Sequence, residues 1–197
     1  MIPPATTLIF LGRSGCGKGT QIAFLREKPE FREALEVKTG ELFRELAKSS
    51  SILGRKVKKI LDAGTLMPMW LALSLWAREF DRIKDEENLI LDGIPRRLDE
   101  ANLLDEALPF LGRPKAVAVV LEVSAEESRR RLLARGRADD TDERITNRLA
   151  WFETNVVPGI EYFRGEKRLI EVNGGETPEE VFGELWGKIN QYFDGPR

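Results

Sequence analysis

The chain is 197 residues long, 42% apolar and 32% charged, an ordinary globular composition and a length that predicts one domain carrying a small insertion. Lysine plus arginine (31) nearly balances aspartate plus glutamate (33), for a net charge of -2, which argues against a protein that coats nucleic acid. No histidine and a single cysteine, Cys16, are present, which together exclude Ser-His-Asp and Cys-His catalysis, zinc–histidine sites and an internal disulfide. Chemistry must therefore come from carboxylates, lysine, arginine and backbone amides.

The first apolar run, Thr6–Leu11, is a predicted strand with no basic signal-peptide start before it. It enters Gly12-Arg13-Ser14-Gly15-Cys16-Gly17-Lys18-Gly19-Thr20, followed by a helical pattern from Gln21 to Leu25. Glycines let a backbone turn its N–H groups inward around an anion, and the helix N-terminus adds positive potential. Lys18 supplies the charge for outer phosphates, although Gly19 stands where the general phosphate-loop pattern has a hydroxyl, so a magnesium ion must lean more on water and phosphate oxygens. Cys16 reads as a small residue fitted into the loop.

Further predicted strands are Glu36–Lys38, Asn88–Asp92, Ala116–Val123 and Arg168–Val172. These are mostly continuous apolar runs, as in strands buried on both faces of a parallel sheet. Between the second and third strands, residues 39–70 read as helical, with Lys48-Ser49-Ser50-Ser51 as a helix–helix turn and the whole as a small protruding subdomain. Later, Ile145, Leu149, Phe152 and Val156 step by four, three and four. Thr177-Pro178-Glu179-Glu180 is a capping box that starts the last helix. Strand–helix alternation predicts an open α/β sheet with helices on both faces. No run of about 18 apolar residues is long enough to span a membrane, and a cytoplasmic location is expected.

Six motifs in order, over nearly the whole chain, resemble the adenylate kinase family. They are the G-x-x-G-x-G-K-G-T loop; Thr39-Gly40-Glu41-Leu42-Phe43-Arg44; Gly64-Thr65-Leu66-Met67-Pro68; Asp92-Gly93-Ile94-Pro95-Arg96; Arg131-Leu132-Leu133-Ala134-Arg135; and Arg137-Ala138-Asp139-Asp140 with Asn147-Arg148-Leu149. Asn173-Gly174 resembles the loop that contacts the donor adenine. The resemblance implies a P-loop domain with a five-stranded parallel sheet of order 2-3-1-4-5. Residues 39–70 would form the acceptor-binding subdomain and residues 135–140 a vestigial lid. It implies phosphoryl transfer from ATP with Mg2+ to AMP, with ATP and AMP as partners and neither nucleic acid nor membrane. A monomer is the default and self-association the alternative.

The same resemblance assigns roles. Gly15, Gly17, Lys18, Gly19 and Thr20 would hold donor phosphates. Arg131 would lie against the donor adenine opposite Gly174, and Arg135 and Arg137 would touch donor phosphates. Arg148 would bridge both sets of phosphates. Arg44 and Arg96 would hold the acceptor phosphate, with Gly40 and Gly93 beside it, Thr39 at the acceptor base and the backbone near Thr65 and Met67 at its ribose. Asp92 would hold magnesium through water. Lys18, Arg96, Arg137 and Arg148 would carry catalysis. Physical chemistry agrees, because phosphoryl transfer needs alignment and charge neutralisation rather than proton transfer. Residues 129–148 hold seven arginines and no lysine, and guanidinium grips two phosphate oxygens at once. Arg129, Arg130 and Arg144 read as ordinary surface charges, and Asp139 and Asp140 as residues that orient arginines.

Three features depart from the family pattern. Only Gly136 separates Arg135 from Arg137, so the lid insert is missing and water exclusion is expected to be poorer. Glu100 stands where a glutamine usually reads the acceptor adenine. An ionised carboxylate only accepts hydrogen bonds, so the position either alters base choice toward GMP, UMP or CMP or points into solvent. Met69 and Trp70 replace polar residues, either packing the acceptor subdomain or forming a patch for self-association. A nucleotide-binding regulator without catalysis is the alternative from another class.

Overall fold

The five apolar runs become the five strands of one parallel sheet: β1 Thr7–Leu11, β2 Leu35–Lys38, β3 Leu89–Asp92, β4 Val117–Glu122 and β5 Leu169–Asn173. The structure, a computed structural model, describes residues 1–137 and 140–195. Strand order is β2-β3-β1-β4-β5, the order implied by the resemblance. The register pairs Phe10 and Lys38 with Asp92, and Leu11 with Val120. Strand ends Leu11, Lys38 and Asp92 therefore share one edge.

Side chains alternate across the sheet, so one continuous apolar strand feeds two cores. Ile9, Leu11, Leu89 and Leu91 face the larger core, with Phe43, Trp76, Leu104 and Phe163. Leu8, Phe10, Ile90 and Val119 face the other, with Ile22, Phe31, Leu185 and Ile189.

The helices among the described residues are α1 Lys18–Leu25, α2 Thr39–Leu46, α3 Ile52–Ala63, α4 Met69–Phe80, α5 Leu98–Phe110, α6 Ala125–Arg135, α7 Asp142–Trp151, α8 Val157–Gly165 and α9 Pro178–Asp194. The serine turn separates α2 from α3, and Ser51 Oγ accepts the Gly54 amide at 3.0 Å to cap α3. Gly64 ends α3 in the left-handed region at φ 66°, where glycine carries no Cβ penalty. The capping box forms as expected, with Thr177 N donating to Glu180 Oε2 at 3.1 Å.

The helical stepping from Ile145 to Val156 is borne out, with a π-helical turn, Phe152–Val156, joining α7 to α8. That turn keeps Phe152 and Val156 buried, and such wider turns are common near functional sites. The Met67–Trp76 stretch divides. Leu71, Ala72 and Trp76 are buried core, whereas Trp70 is 61% exposed.

Candidate active site

A cleft of about 830 Å3 opens at the carboxyl edge of β1, β2 and β3, the position where open α/β sheets take ligands. Its floor is the glycine loop. Gly12, Gly15 and Gly17 have φ of 134°, 86° and 103°. At Gly12 a Cβ would stand 2.6 Å from Leu121 O and 2.7 Å from Cys16 Sγ; at Gly15 one would stand 2.8 Å from Leu132 Cγ. Glycine is needed at both for close approach as well as for φ. At Gly17 no atom lies within 4 Å of such a Cβ, so that position borders open cleft. Lys18 Nζ donates to Gly12 O at 2.9 Å and Arg13 O at 3.2 Å, wrapping the loop's own carbonyls. Cys16 is buried in the loop as expected. Gly174 closes the loop's far side: its N donates to Glu122 O at 2.8 Å, and a Cβ there would stand 3.4 Å from Cys16 O.

Arginines form the walls. Arg131 and Arg135, one helical turn apart on α6, both face the cleft, as do Arg137, and Arg148 from α7. Asp140 organises them. Its side chain is fully buried, and it accepts Arg135 Nε and Nη2 at 2.9 Å each and Arg148 Nη1 at 3.0 Å. Burial opposes ionisation of Asp140, but hydrogen bonds and charge from Arg135 and Arg148 outweigh it and hold its carboxyl below the usual range. The orienting role expected of Asp140 is thus visible; Asp139 lies outside the described residues. Glu127 accepts from Arg130 and Arg131, which lower its pKa to about 2.

On the opposite wall stand Gly40, Arg44, Asp92, Gly93 and Arg96. Arg44 lies along its own helix, such that a Cβ at Gly40 would come 3.3 Å from its Nη1. Arg96 Nε donates to Gly93 O at 3.0 Å, and its guanidinium sits 5.7 Å from the Trp151 ring centre. Burial lowers the Arg96 pKa; Glu100 and Asp92 counter this, while Arg44 and Arg148 reinforce it. Guanidinium groups this close repel one another, and an anion in the cleft relieves that repulsion.

The architecture agrees with the comparisons to known proteins. The adenylate kinase family model matches residues 10–168. The chain is 36% identical over 180 residues to adenylate kinase 1 of Nostoc sp., covering 91% of this chain and 96% of the relative. The chain belongs to the adenylate kinase family. A Prochlorococcus marinus adenylate kinase is 38% identical over 182 residues, covering 92% and 97% of the two chains, and one from Mycolicibacterium paratuberculosis is 38% identical over 175 residues, covering 89% and 94%.

For an adenylate kinase family member, three expected acceptor residues lie behind the cleft wall rather than on it. Thr39 is 1% exposed, and its hydroxyl has no hydrogen-bond partner among the described residues. Met67 is buried, and its carbonyl accepts Arg97 Nη1 at 3.0 Å. Glu100 is 2% exposed, which rules out the solvent-facing alternative. Its Oε2 accepts the Arg96 amide at 2.6 Å, and its Oε1 lies 3.5 Å from Arg97 Nη1.

Two residues at the site escaped sequence reasoning. Arg13, inside the loop, donates to Val123 O at 2.9 Å, pairs with Glu153 on the π-turn and covers the Phe152 ring at 5.0 Å. Trp151 lines the cleft under Arg96. Neither residue type has a local signal for that position. Arg144 also departs from expectation. Rather than an ordinary surface charge, it bonds across to Asp62 at the end of α3. Arg129 and Arg130 match expectation, pairing with Asp142 and Glu127 on the surface. No helix among the described residues is long and apolar enough to cross a membrane.

Proposed function

We propose that the chain catalyses reversible phosphoryl transfer from ATP to AMP, giving two ADP. The observation that carries this reading is a single cleft lined by a backbone cradle with Lys18 at its floor, by Arg131, Arg135, Arg137 and Arg148 on one wall and by Arg44 and Arg96 on the other. Such a cleft accepts two phosphate chains end to end. Gly15, Gly17 and Gly19 offer amides at the start of α1 to the donor's phosphates, Thr20, whose amide already donates to Gly17 O, offers its hydroxyl, and Lys18 swings from the loop carbonyls to the outer ones. Arg44 and Arg96 grip the acceptor phosphate, with Gly40 and Gly93 close by. Arg148, held by Asp140, reaches both sets. Arg135 and Arg137 offset charge on the transferring group, and Arg131 with Gly174 flanks the donor adenine. The catalytic contribution is alignment and fixed positive charge, with no protein acid or base in the step. Residues 39–70 act as the acceptor subdomain and residues 135–140 as the vestigial lid.

The donor set fits a magnesium ion that arrives on ATP. No cluster of three or more potential ligands occurs among the described residues, while Asp92 places one carboxylate on the cleft wall. That suits a cation held mainly by phosphate oxygens and water, with Asp92 ordering the water. When bound, magnesium neutralises charge on the donor's outer phosphates.

AMP is favoured over other acceptors because the relatives are adenylate kinases, and both Glu100 oxygens face internal donors, the Arg96 amide and the Arg97 guanidinium. Its charge is answered within the protein and does not by itself demand a guanine. The buried Thr39 hydroxyl and the Met67 backbone back the acceptor base and ribose. The same reading has a monomer working in the cytoplasm on ATP and AMP, without nucleic-acid or membrane partners. A coupled assay of ADP formation, run with each monophosphate, tests the proposal. AMP should be the best acceptor; equal or faster turnover with GMP would overturn that choice, and ATP binding without any turnover would favour the regulator.

A further inference from the structure

Helix α3 ends against α7 through polar contacts made by one row of side chains. Arg144 Nε donates to Asp62 O at 2.6 Å, Asn147 Nδ2 to Ala63 O at 2.9 Å and Trp151 Nε1 to Gly64 O at 2.9 Å. Arg144 Nη2 also lies 3.1 Å from Asp62 Oδ1. Positions 144, 147 and 151 are spaced to share one face of a helix. The three carbonyls are consecutive and belong to the last turn and cap of α3, where a helix leaves its carbonyls without intrahelical donors. A cation there also meets the negative end of the helix dipole. The fit is close in the backbone too, since a Cβ at Gly64 would stand 2.9 Å from Arg144 O.

We propose that Arg144, Asn147 and Trp151 are positioning residues that latch the acceptor arm, α2 and α3, onto the helix that carries Arg148. Trp151 joins the latch to the site, because its N–H holds Gly64 while its ring face lies under the Arg96 guanidinium. Docking the arm therefore sets the wall formed by Gly64, Thr65 and Arg44 against Arg96 and Arg148. Only Gly136 separates Arg135 from Arg137, so little chain is available on the donor side to cover the cleft, and the latched arm closes it from the acceptor side. The contacts are polar and largely exposed. Such bonds are individually weak against water, which makes the latch reversible, as substrate entry requires.

The inference rests on the AMP reading for its kinetic test and carries a second test that does not. In the double variant Arg144→Ala/Asn147→Ala, KM for AMP should rise about tenfold, with KM for ATP within about twofold of wild type. Arg144→Lys, which keeps a cationic donor, should return most of the loss relative to Arg144→Ala. Trp151→Phe keeps the ring beneath Arg96 and removes only the donor, so KM for AMP should rise about threefold. Hydrogen exchange of the nucleotide-free protein should show faster exchange across residues 52–66 in the double variant. Equal changes in both KM values, or exchange identical to wild type, would overturn the latch. If the wild type phosphorylates no monophosphate, the proposed function fails, and exchange alone decides the latch.

Discussion

The two sides of the donor site are built by different means. The glycine loop is backbone held by steric contact: Gly12 and Gly15 leave no room for a methyl group, and their φ values lie where other residues are strained. The arginine wall is side chain held by charge: Arg135 and Arg148 converge on the single buried carboxylate of Asp140. A backbone cradle keeps its shape whatever the pH. A wall of flexible cations does not, because one proton on Asp140 removes the anchor of two arms. Changes in the loop should therefore act first on stability, and changes in the wall on charge balance and turnover.

The largest effect should come from the wall's acceptor end. Arg96→Ala should lower kcat/KM for AMP about 10³-fold, since a preorganised cation that holds and aligns the acceptor phosphate is removed. Its circular dichroism should stay native; wild-type kinetics would break the assignment of Arg96 to phosphate. Gly12→Ala should cost about 2–4 kcal/mol of stability, because its methyl meets Leu121 O and the backbone is strained. Gly17→Ala meets no atom and should lose less stability than activity. Urea unfolding of both variants beside their kcat measures the split, and equal stability losses would erase the distinction between packed and open loop positions.

Asp140→Asn comes next, at about 1–3 kcal/mol, because the carboxylate is buried while Arg135 stays partly solvated. Here the direction with pH is fixed. The native carboxyl titrates below its ordinary value, so the folded state binds fewer protons than the unfolded chain across that interval. Stability contributed by Asp140 is complete above the ordinary aspartate range and is lost as pH falls toward the depressed value. Urea midpoints measured from neutral to acid pH should fall less steeply in Asp140→Asn than in wild type. The smallest effect belongs to Arg130→Ala, where a solvated pair with Glu127 is lost; kcat/KM should stay within about twofold. A large loss there would show that the wall extends beyond the residues around Asp140.

Much of this was legible in sequence because its causes are local. Strands buried on both faces need unbroken apolar runs, and each strand end fell within about a residue of its run. The loop's glycines, Ser51 and the Thr177 capping box act on backbone a few positions away, so their residue types announce them. Most of the contacts that escaped act over distance. Arg144, Asn147 and Trp151 meet carbonyls more than eighty positions earlier in the chain, and nothing near them in sequence marks a partner. Glu100 looked like a reader of the acceptor base or a solvent-facing helix residue. Only the folded turn brings the Arg96 amide over it. The π-turn at Phe152–Val156 was hidden because its apolar residues keep a regular helical rhythm while the backbone widens.

Trp151 has a further use. Its indole is the only tryptophan ring on the cleft wall among the described residues; Trp76 lies in the core, Trp70 stands out in solvent and Trp186 stacks on Phe182 away from the cleft. With a guanidinium above it and a carbonyl at its nitrogen, its emission will respond to an arriving phosphate and to withdrawal of the arm. The molecule thus contains its own optical gauge of occupancy, readable without attaching a dye.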